Sequence, residues 1–309
     1  MVNFFDNLRF WHEKRIKLLD KIKIYSIINY IIYIISNAIL PIYFRITSKR
    51  QCYSITNKNL GRNKKIIVSL TSFPQRITVV HLTIESILHQ TMLPDKIILW
   101  LSEQQFPKKK IPEILSKLTS RGVEIRFVDG DLRSHKKYYY AMKEFIEDII
   151  ITIDDDIYYR NDLIENLIFW HKKYPEKIIA NWLKIIKIDL QGNSIYRSWP
   201  EATKQGEVIF RGCAFGCAGV LYPPYSLYED VCDESLIMKL CLTADDIWLA
   251  SQASLKHTDY VFTNYKQHHL SIRIHNNITL LDQNRIKNQE VVEAINKYYK
   301  QSIGIVPLS

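Results

Sequence analysis

The feature that most constrains the fold of this chain is an alternation of short apolar runs with segments of helical periodicity between residues 66 and 174. The apolar runs are typical of buried strands and lie at residues 66–70, 97–101 and 149–153, and a further strand is expected at 123–128. The first helical segment has apolar residues at the spacing of one helix face, namely Val80, Ile84, Ile87 and Leu88. This alternation predicts an α/β fold, in which a mostly parallel sheet carries helices on both faces.

The same periodicity predicts further helices, at residues 111–118, 141–146, 162–174, 245–255 and 288–299. Short strands are expected at 220–222 and 260–262, with a hairpin across 185–199. Sheets of this kind bind ligands beyond the carboxyl ends of their strands. We therefore expect the functional site in the loops that follow three of the strands, at 71–76, 129–137 and 154–156.

The first 62 residues are predicted to form a helical appendage. Residues 24–44 carry no charged side chain and could cross a bilayer as a helix, although Pro41 is expected to end or kink that helix. Polar residues form a stripe along one side of it, at Ser26, Asn29, Tyr33, Ser36 and Asn37. Three interpretations stay open: a helix in the plane of a membrane, a transmembrane span, and a helix docked on its own domain or on a partner.

The formal charge of +10 is unevenly distributed along the chain. Residues 1–65 carry 13 Lys and Arg against 3 Asp and Glu, whereas the rest of the chain carries 29 of each kind. A nucleic-acid-binding protein would spread basic charge over its main domain, so no nucleic-acid partner is expected. Basic residues beside an apolar segment suit an anionic membrane surface instead.

Three adjacent carboxylates, Asp154, Asp155 and Asp156, directly follow the apolar run at 149–153. At the end of a buried strand such carboxylates raise each other's pKa unless a cation neutralises them. Their hard oxygen atoms suit Mn²⁺ or Mg²⁺, which share their coordination shell with phosphate oxygens. Because no glycine-rich phosphate-binding motif follows the first strand, the cation, helped by Lys or Arg, is expected to hold a diphosphate.

Ordered sequence blocks over residues 66 to about 255 resemble bacterial glycosyltransferases of the GT-A fold that build capsule or lipopolysaccharide saccharides. The blocks are 68–76 (VSLTSFPQR), 85–91 (ESILHQT), 131–137 (DLRSHKK), 152–156 (TIDDD), 216–224 (GCAGVLYPP) and 244–248 (ADDIW). The fourth block corresponds to the DxD motif of these enzymes. The shared order of the blocks is more specific than any one of them.

The resemblance implies roles for individual residues. The nucleotide-sugar donor would contact residues of several blocks, namely Thr71, Pro74, Arg76, Asp129, Lys136, Lys137, Asp154 and Asp155. Asp156 and Asp154 would bind the Mn²⁺ or Mg²⁺ ion, with His275 as a further ligand. Asp246 or Asp245 would be the base that deprotonates the acceptor hydroxyl. The family has Glu-Asp where this chain has Asp-Asp, so the identity of the base stays open, with Asp246 favoured.

The sequence thus predicts a membrane-associated, inverting glycosyltransferase with a nucleotide-sugar donor, a UDP-sugar being the first candidate, and a saccharide or lipid-linked saccharide acceptor. Residues 63–309 would be the catalytic domain, with a nucleotide-sugar half at 63–180 and an acceptor half at 181–309. The alternatives are a nucleotidyltransferase on a similar sheet and a non-catalytic, membrane-docked scaffold. The five cysteines form no CxxC pair and suit a reducing compartment, so a cytoplasmic location on the inner face of the cell membrane is expected.

Overall fold

The computed structural model of the protein describes residues 1–10, 24–56, 60–265, 270–274 and 281–309. The strands are β1 (Ile66–Thr71), β2 (Lys96–Ser102), β3 (Val123–Val128), β4 (Ile149–Thr152), β5 (Ile157–Tyr158), β6 (Ile178–Ala180), β7 (Leu183–Ile185), β8 (Glu207–Ile209), β9 (Gly212–Ala214), β10 (Val220–Tyr222), β11 (Tyr260–Phe262) and β12 (Leu270–Ser271).

The α-helices are α1 (Val2–Phe10), α2 (Ile24–Thr47), α3 (Val80–Leu88), α4 (Glu113–Ser116), α5 (Lys136–Glu144), α6 (Leu163–Lys173), α7 (Glu234–Leu236), α8 (Asp245–Lys256) and α9 (Leu281–Ile303). Shorter 3₁₀ segments connect them at Gln51–Tyr53, Pro107–Lys109, Lys117–Arg121, Arg133–His135, Tyr196–Ser198, Gly216–Ala218 and Glu229–Cys232, and Ile237–Cys241 forms one π-helical turn.

Eight of these strands form the main sheet, in the order β3-β2-β1-β4-β10-β6-β11-β8. β3, β2, β1 and β4 are mutually parallel, and β11 is parallel to β6. β10 runs antiparallel to its neighbours β4 and β6, and β8 runs antiparallel to β11. The prediction of a mostly parallel α/β sheet is therefore confirmed, with β4 parallel to one neighbour and antiparallel to the other.

Helices cover both faces of this sheet. On one face Ile66, Val68 and Leu70 of β1 pack with residues of α3 and α6. On the other face Ile67 packs with α5, and Tyr222 of β10 packs with α8 and α9. Because both faces are buried at the centre of the sheet, β1 and β4 are almost entirely apolar, which made them recognisable in the sequence. The edge strand β3 is half-buried and carries Glu124 and Arg126.

The polar stripe of α2 faces the domain at Ser36 and Asn37, whereas Ser26 at its start is exposed. Ser36 is buried, and the Asn37 side chain donates to the carbonyl of Ser271 (3.0 Å) and accepts from the backbone N–H of Arg273 (2.8 Å). Pro41 does not end the helix, since α2 continues to Thr47, and the alternative that Pro41 kinks the helix stays a prediction. The helix is held on both sides of Pro41, because Leu40 and Phe44 are buried in a cluster with β12 and the start of α3.

α2 is long and apolar enough to cross a membrane when only its length and composition are considered. Length and composition therefore do not separate an in-plane helix, a transmembrane span and a docked helix. The contacts on each side of α2 distinguish them.

Several predicted elements have different bounds in the structure, among them the last helix, predicted at 288–299 and observed at Leu281–Ile303. The segment at 111–118 is divided into the short α4 and a 3₁₀ turn. The hairpin at 185–199 is reduced to one isolated bridge between Ile188 and Ser194 beyond β7. α5 begins at Lys136, five residues before the predicted segment at 141–146. The prediction missed this start because the first turn of α5 buries charged side chains, which apolar periodicity does not detect.

Candidate active site

Five segments meet at the carboxyl edge of β1 and β4. The loop at 71–76 and the triplet at 154–156 are neighbours because they follow parallel, paired strands. β10 is antiparallel to β4, so the turn that precedes it, Gly216–Ala218, reaches the same edge. The N-terminal ends of α5 and α8 complete the cluster through Lys137 and Asp245.

Lys137, in the first turn of α5, joins the triplet to the start of α8. Its ammonium nitrogen is 2.8 Å from Asp154 Oδ1 and 2.8 Å from Asp245 Oδ2, and its side chain is 5% exposed. Burial disfavours the ammonium, but the carboxylates of Asp154 and Asp245 outweigh burial and raise the pKa of Lys137 well above its ordinary value. Lys137 is therefore a fixed cation that two carboxylates share.

Asp155 is the buried member of the triplet. Ser72 Oγ donates to its Oδ2 at 2.5 Å, and Arg76 Nη1 donates to its Oδ1 at 2.8 Å. Burial raises the pKa of Asp155, while the Arg76 charge and both hydrogen bonds favour its ionised form. Both carboxylate oxygens are thus used to fasten the triplet to the loop at 71–76, and the contact with the donor that the resemblance implied for Asp155 stays a prediction.

Asp154 and Asp156 are the accessible carboxylates of the triplet, with side chains 32% and 24% exposed. Burial and the neighbouring carboxylates raise the pKa of Asp156 to about 6, although the Arg76 guanidinium, 3.0 Å away, opposes this shift. The triplet therefore carries more negative charge than Arg76 neutralises.

The number of carboxylate ligands in the triplet determines how it could bind the expected divalent cation. Among the residues that the structure describes, no three His, Cys, Asp or Glu side chains form a group that could hold a metal ion. Mg²⁺ is commonly bound by one or two carboxylates together with substrate phosphates, and Mn²⁺ accepts similar oxygen ligands. Asp154 and Asp156 therefore fit a cation that is shared with a diphosphate, and they do not fit one that the protein holds alone.

Asp245 and Asp246 open α8 and have opposite pKa shifts. Burial acts to raise the pKa of Asp245, but Lys137 and His135 outweigh it and lower that pKa. Burial and the charge of Asp245 raise the pKa of Asp246 to about 8. Adjacent carboxyl groups whose pKa values differ in this way are suited to different roles. Asp245 fits an ion-pair partner for Lys137, and Asp246 fits a proton acceptor near neutral pH.

Gly216 is a residue of the cluster to which the sequence assigned no role. Its backbone N–H donates to Asp246 Oδ1 at 3.1 Å. A β-carbon at this position would lie 2.5 Å from Lys137 Nζ and 3.4 Å from Asp246 Oδ1. The absence of a side chain therefore lets the turn at 216–218 approach both groups. The block at 216–224 marked this turn in the sequence but did not identify its partners.

Tyr159 is a second residue that the sequence analysis missed. Its hydroxyl accepts the backbone N–H of Asp154 at 3.0 Å and donates to the carbonyl of Cys217, also at 3.0 Å. The hydroxyl is buried and joins the triplet to the turn at 216–218. No periodicity or motif in a single sequence indicates such a bridge.

The other predicted donor-binding residues lie around this cluster. Thr71 Oγ1 donates to the carbonyl of Trp100 at 2.8 Å, and Pro74 is exposed in the same loop. Asp129 is exposed after β3, where its carboxylate accepts the N–H of Gly130 at 2.8 Å. Their contact with a nucleotide stays a prediction.

The two adjacent lysines have different partners. Lys136 is buried and paired with Asp131, so Lys137 is the lysine that contacts the triplet. The predicted metal ligand His275 lies outside the described residues.

Comparison with known proteins identifies the family to which this chain belongs. The sequence profile of the Glycosyl transferase family 64 domain matches residues 66–224, slightly more than half of the chain. No curated protein matches the chain. A solved mannosyltransferase from Pyrobaculum calidifontis, in complex with GDP-Man and Mn²⁺, is 10% identical over 90% of this chain and 76% of its own, with a TM-score of 0.48.

A second solved structure is glucosyl-3-phosphoglycerate synthase from Mycobacterium tuberculosis in complex with Mn²⁺, uridine-diphosphate-glucose and phosphoglyceric acid. It is 15% identical over 38% of this chain, with a TM-score of 0.30. This chain spans 43% of the length of that enzyme.

Proposed function

Because the chain belongs to the glycosyl transferase family 64 domain family of glycosyltransferases, we propose that it transfers a sugar from a nucleotide-diphosphate donor to a saccharide hydroxyl. The observation that carries this proposal is the position of Lys137, which is 2.8 Å from both Asp154 and Asp245. The carboxylates that fit a cation–diphosphate complex therefore adjoin the carboxyl pair that fits a base. A transferase needs these two functions side by side.

The donor diphosphate is proposed to bind over Asp154 and Asp156, with Lys137 and Arg76 as the nearby cationic groups. A bound Mn²⁺ or Mg²⁺ ion would offset the charge that develops on the departing diphosphate. The loop at 71–76 would contact the base and ribose through Thr71 and Pro74. Its position is fixed by the bonds from Ser72 and Arg76 to Asp155, so this part of the site is formed before ligand binds.

Asp246 is proposed as the base. The acceptor hydroxyl oxygen forms a bond to the anomeric carbon, the bond from that carbon to the diphosphate oxygen breaks, and the diphosphate leaves with the bonding electrons. The hydroxyl proton passes to Asp246, whose raised pKa suits a proton acceptor near neutral pH. A single displacement of this kind inverts the anomeric carbon. Asp245 keeps Lys137 in place and is the positioning residue of the pair.

The acceptor is proposed to be a cell-surface saccharide of the capsule or lipopolysaccharide type, in free or lipid-linked form, and the donor a UDP-sugar. The enzyme is proposed to act at the inner face of the cell membrane. The support for this location is the excess of basic residues in positions 1–65 next to the apolar α2.

The test begins with a thermal-shift panel of nucleoside diphosphates and nucleotide sugars in the presence of Mn²⁺. The best donor is then incubated with the enzyme, and the products are analysed. Release of the nucleoside diphosphate and free or transferred sugar is expected, and Asp156→Ala should abolish it. Release of pyrophosphate would show nucleotidyl transfer instead.

Two further outcomes would contradict the proposal. Donor turnover that is the same in Asp156→Ala as in the unaltered protein would remove the triplet from the mechanism, and no turnover of any donor would favour a scaffold. Retention of the anomeric configuration, measured by NMR of the product, would reject Asp246 as the acceptor's base.

A further inference from the structure

α2 exposes a continuous apolar face to solvent. Six isoleucines at steps of four or three residues form this isoleucine ridge, namely Ile27, Ile31, Ile35, Ile39, Ile42 and Ile46, and each is between 40% and 65% exposed. α1 packs in the same cluster as α2 and leaves Phe4 and Leu8 exposed. A soluble protein seldom exposes a contiguous apolar strip of this length without a partner.

The opposite side of α2 is committed to the domain. Asn37 forms two hydrogen bonds with the backbone around β12, and Thr47 Oγ1 is 2.8 Å from His89 Nε2. Leu40 and Phe44 are fully buried between these contacts. A helix that spans a bilayer would have to break these contacts with the segment at 271–273 and with His89, or carry that part of the domain into lipid. Backbone polar groups of irregular segments have no partners there. The contacts therefore fit a helix that lies in the membrane plane.

The charge of this region identifies the surface that the isoleucine ridge fits. Arg45 lies on the exposed side of α2, and Lys49 and Arg50 are exposed directly after it. The 13 basic and 3 acidic residues at positions 1–65 would repel the same region of a second copy. Anionic lipid headgroups attract such a segment, and the acyl boundary beneath them accepts an apolar face.

The same contacts connect the ridge to the candidate active site. Asn37 holds the backbone of Ser271 and Arg273, and the intervening Ile272 donates its N–H to the carbonyl of Asp156 at 2.8 Å. The short segment at residues 271–273 thus lies between α2 and the triplet. A surface that binds the ridge is accordingly close to the edge of the sheet where the donor would bind.

We propose that the isoleucine ridge inserts in the plane of an anionic bilayer, while the polar side of α2 holds the catalytic domain at the bilayer surface. Resting on the proposed function, this specifies the acceptor as a saccharide presented at that surface, with its lipid anchor in the same leaflet as the ridge. α2 is then both the membrane-binding element and a support for the strand beside Asp156.

The experiment measures co-sedimentation of the full chain with phosphatidylcholine vesicles that either contain or lack phosphatidylglycerol. Binding is expected for the anionic vesicles and should decrease with added salt. The double variant Ile31→Glu/Ile35→Glu should bind roughly tenfold or more weakly, because it places charge in the apolar face. Ile188→Glu is the matched control, since Ile188 is 53% exposed at the isolated bridge after β7, outside the N-terminal segment, and should bind as the unaltered protein does. Ile42→Glu provides a second, single substitution in the ridge.

Three results would overturn the proposal. Unchanged vesicle binding by the ridge variants would show that another surface binds. Resistance of the membrane-bound protein to alkaline carbonate extraction would show a spanning helix. A dimer that light scattering detects for the unaltered protein, and that Ile31→Glu/Ile35→Glu dissociates, would show that a second copy covers the ridge.

Donor hydrolysis in solution separates this inference from the proposed function. Loss of vesicle binding with retained hydrolysis of the soluble donor is expected for the ridge variants. Absence of donor hydrolysis in the unaltered protein, with vesicle binding intact, would instead contradict the proposed function.

Discussion

The ammonium nitrogen of Lys137 lies 2.8 Å from a carboxylate oxygen of Asp245, at the first residue of α8. The same nitrogen lies 2.8 Å from Asp154, so one buried cation serves both the acidic triplet and the Asp pair. This relationship couples the proposed donor side of the site to its proposed acceptor side, because displacing Lys137 changes the electrostatic environment of both.

Replacement of Lys137 by Met is expected to reduce donor turnover by about 100-fold or more, since a preorganised cation beside the diphosphate is lost. It should also lower the free energy of unfolding by about 3–5 kcal/mol, the usual cost of removing one partner of a buried ion pair. Turnover is measured as nucleoside diphosphate release at saturating Mn²⁺, and stability is measured by urea denaturation.

Lys136→Met is the matched control for this prediction. Lys136 is the preceding residue, is equally buried, and pairs with Asp131 away from the triplet. Its loss should destabilise the fold to a similar extent while the folded enzyme retains most of its turnover. Equal loss of turnover in the two variants would show that the effect of Lys137 is structural.

The pH dependence of turnover tests the roles of the Asp pair. If Asp246 accepts the acceptor's proton, kcat/KM should increase with pH until it levels off near the raised pKa of about 8. Asp246→Asn should reduce kcat by about 10²–10⁴-fold and remove the pH-dependent rise.

Asp245→Asn should leave the rise in place and move it to lower pH. The charge of Asp245 is one cause of the raised pKa of Asp246, so its removal lets Asp246 ionise more readily. A profile that does not move, or one that moves to higher pH, would contradict this assignment of the two carboxylates.

The sequence could predict the edge of the sheet at which these groups meet. The triplet Asp154–Asp156 follows an apolar run, and paired parallel strands end at the same edge. Apolar periodicity thus located the loops at 71–76 and 154–156 without any contact information. The start of α5 escaped the same reasoning because Lys136 and Lys137 are charged, and their burial depends on partners distant in the chain.

The contacts within the site could not be predicted in this way. Gly216 approaches Lys137 only because β10 is antiparallel to β4 and brings its preceding turn to the carboxyl edge. The hydroxyl of Tyr159 likewise reaches the carbonyl of Cys217 in the turn that precedes β10. Both depend on strand order, which hydrophobic patterning in one sequence does not specify.

Binding of Mn²⁺ together with a nucleoside diphosphate should depend on the ionisation of Asp156. The pKa of the Asp156 carboxyl is raised to about 6 in the folded protein, whereas an unfolded chain has a carboxyl pKa of about 3.9. Protonation of Asp156 therefore stabilises the ligand-free fold. This stabilisation is complete below a pH of about 3.9 and is lost as the pH rises through about 6. A bound cation would replace the lost proton. The ligand-induced increase in Tm should therefore be large near pH 7.5 and small near pH 5.

Asp156→Asn should remove most of this ligand-induced shift at both pH values. Glu176→Gln, which changes an exposed carboxylate three residues after the end of α6, should retain the full shift and its pH dependence. A shift of equal size at both pH values in the unaltered protein would mean that Asp156 does not bind the cation.

Gly216→Ala tests the close approach of the turn at 216–218 to the shared cation. The new β-carbon would lie 2.5 Å from Lys137 Nζ, so the ammonium must leave the position in which it contacts both Asp154 and Asp245. We expect turnover to fall roughly tenfold or more, as is common when a catalytic group is displaced by about 1 Å. Gly192→Ala, in an open turn where the β-carbon meets no atom within 4 Å, should cost about 1 kcal/mol through its positive φ alone and leave turnover unchanged. Full turnover in Gly216→Ala would show that Lys137 can leave this position without consequence for catalysis.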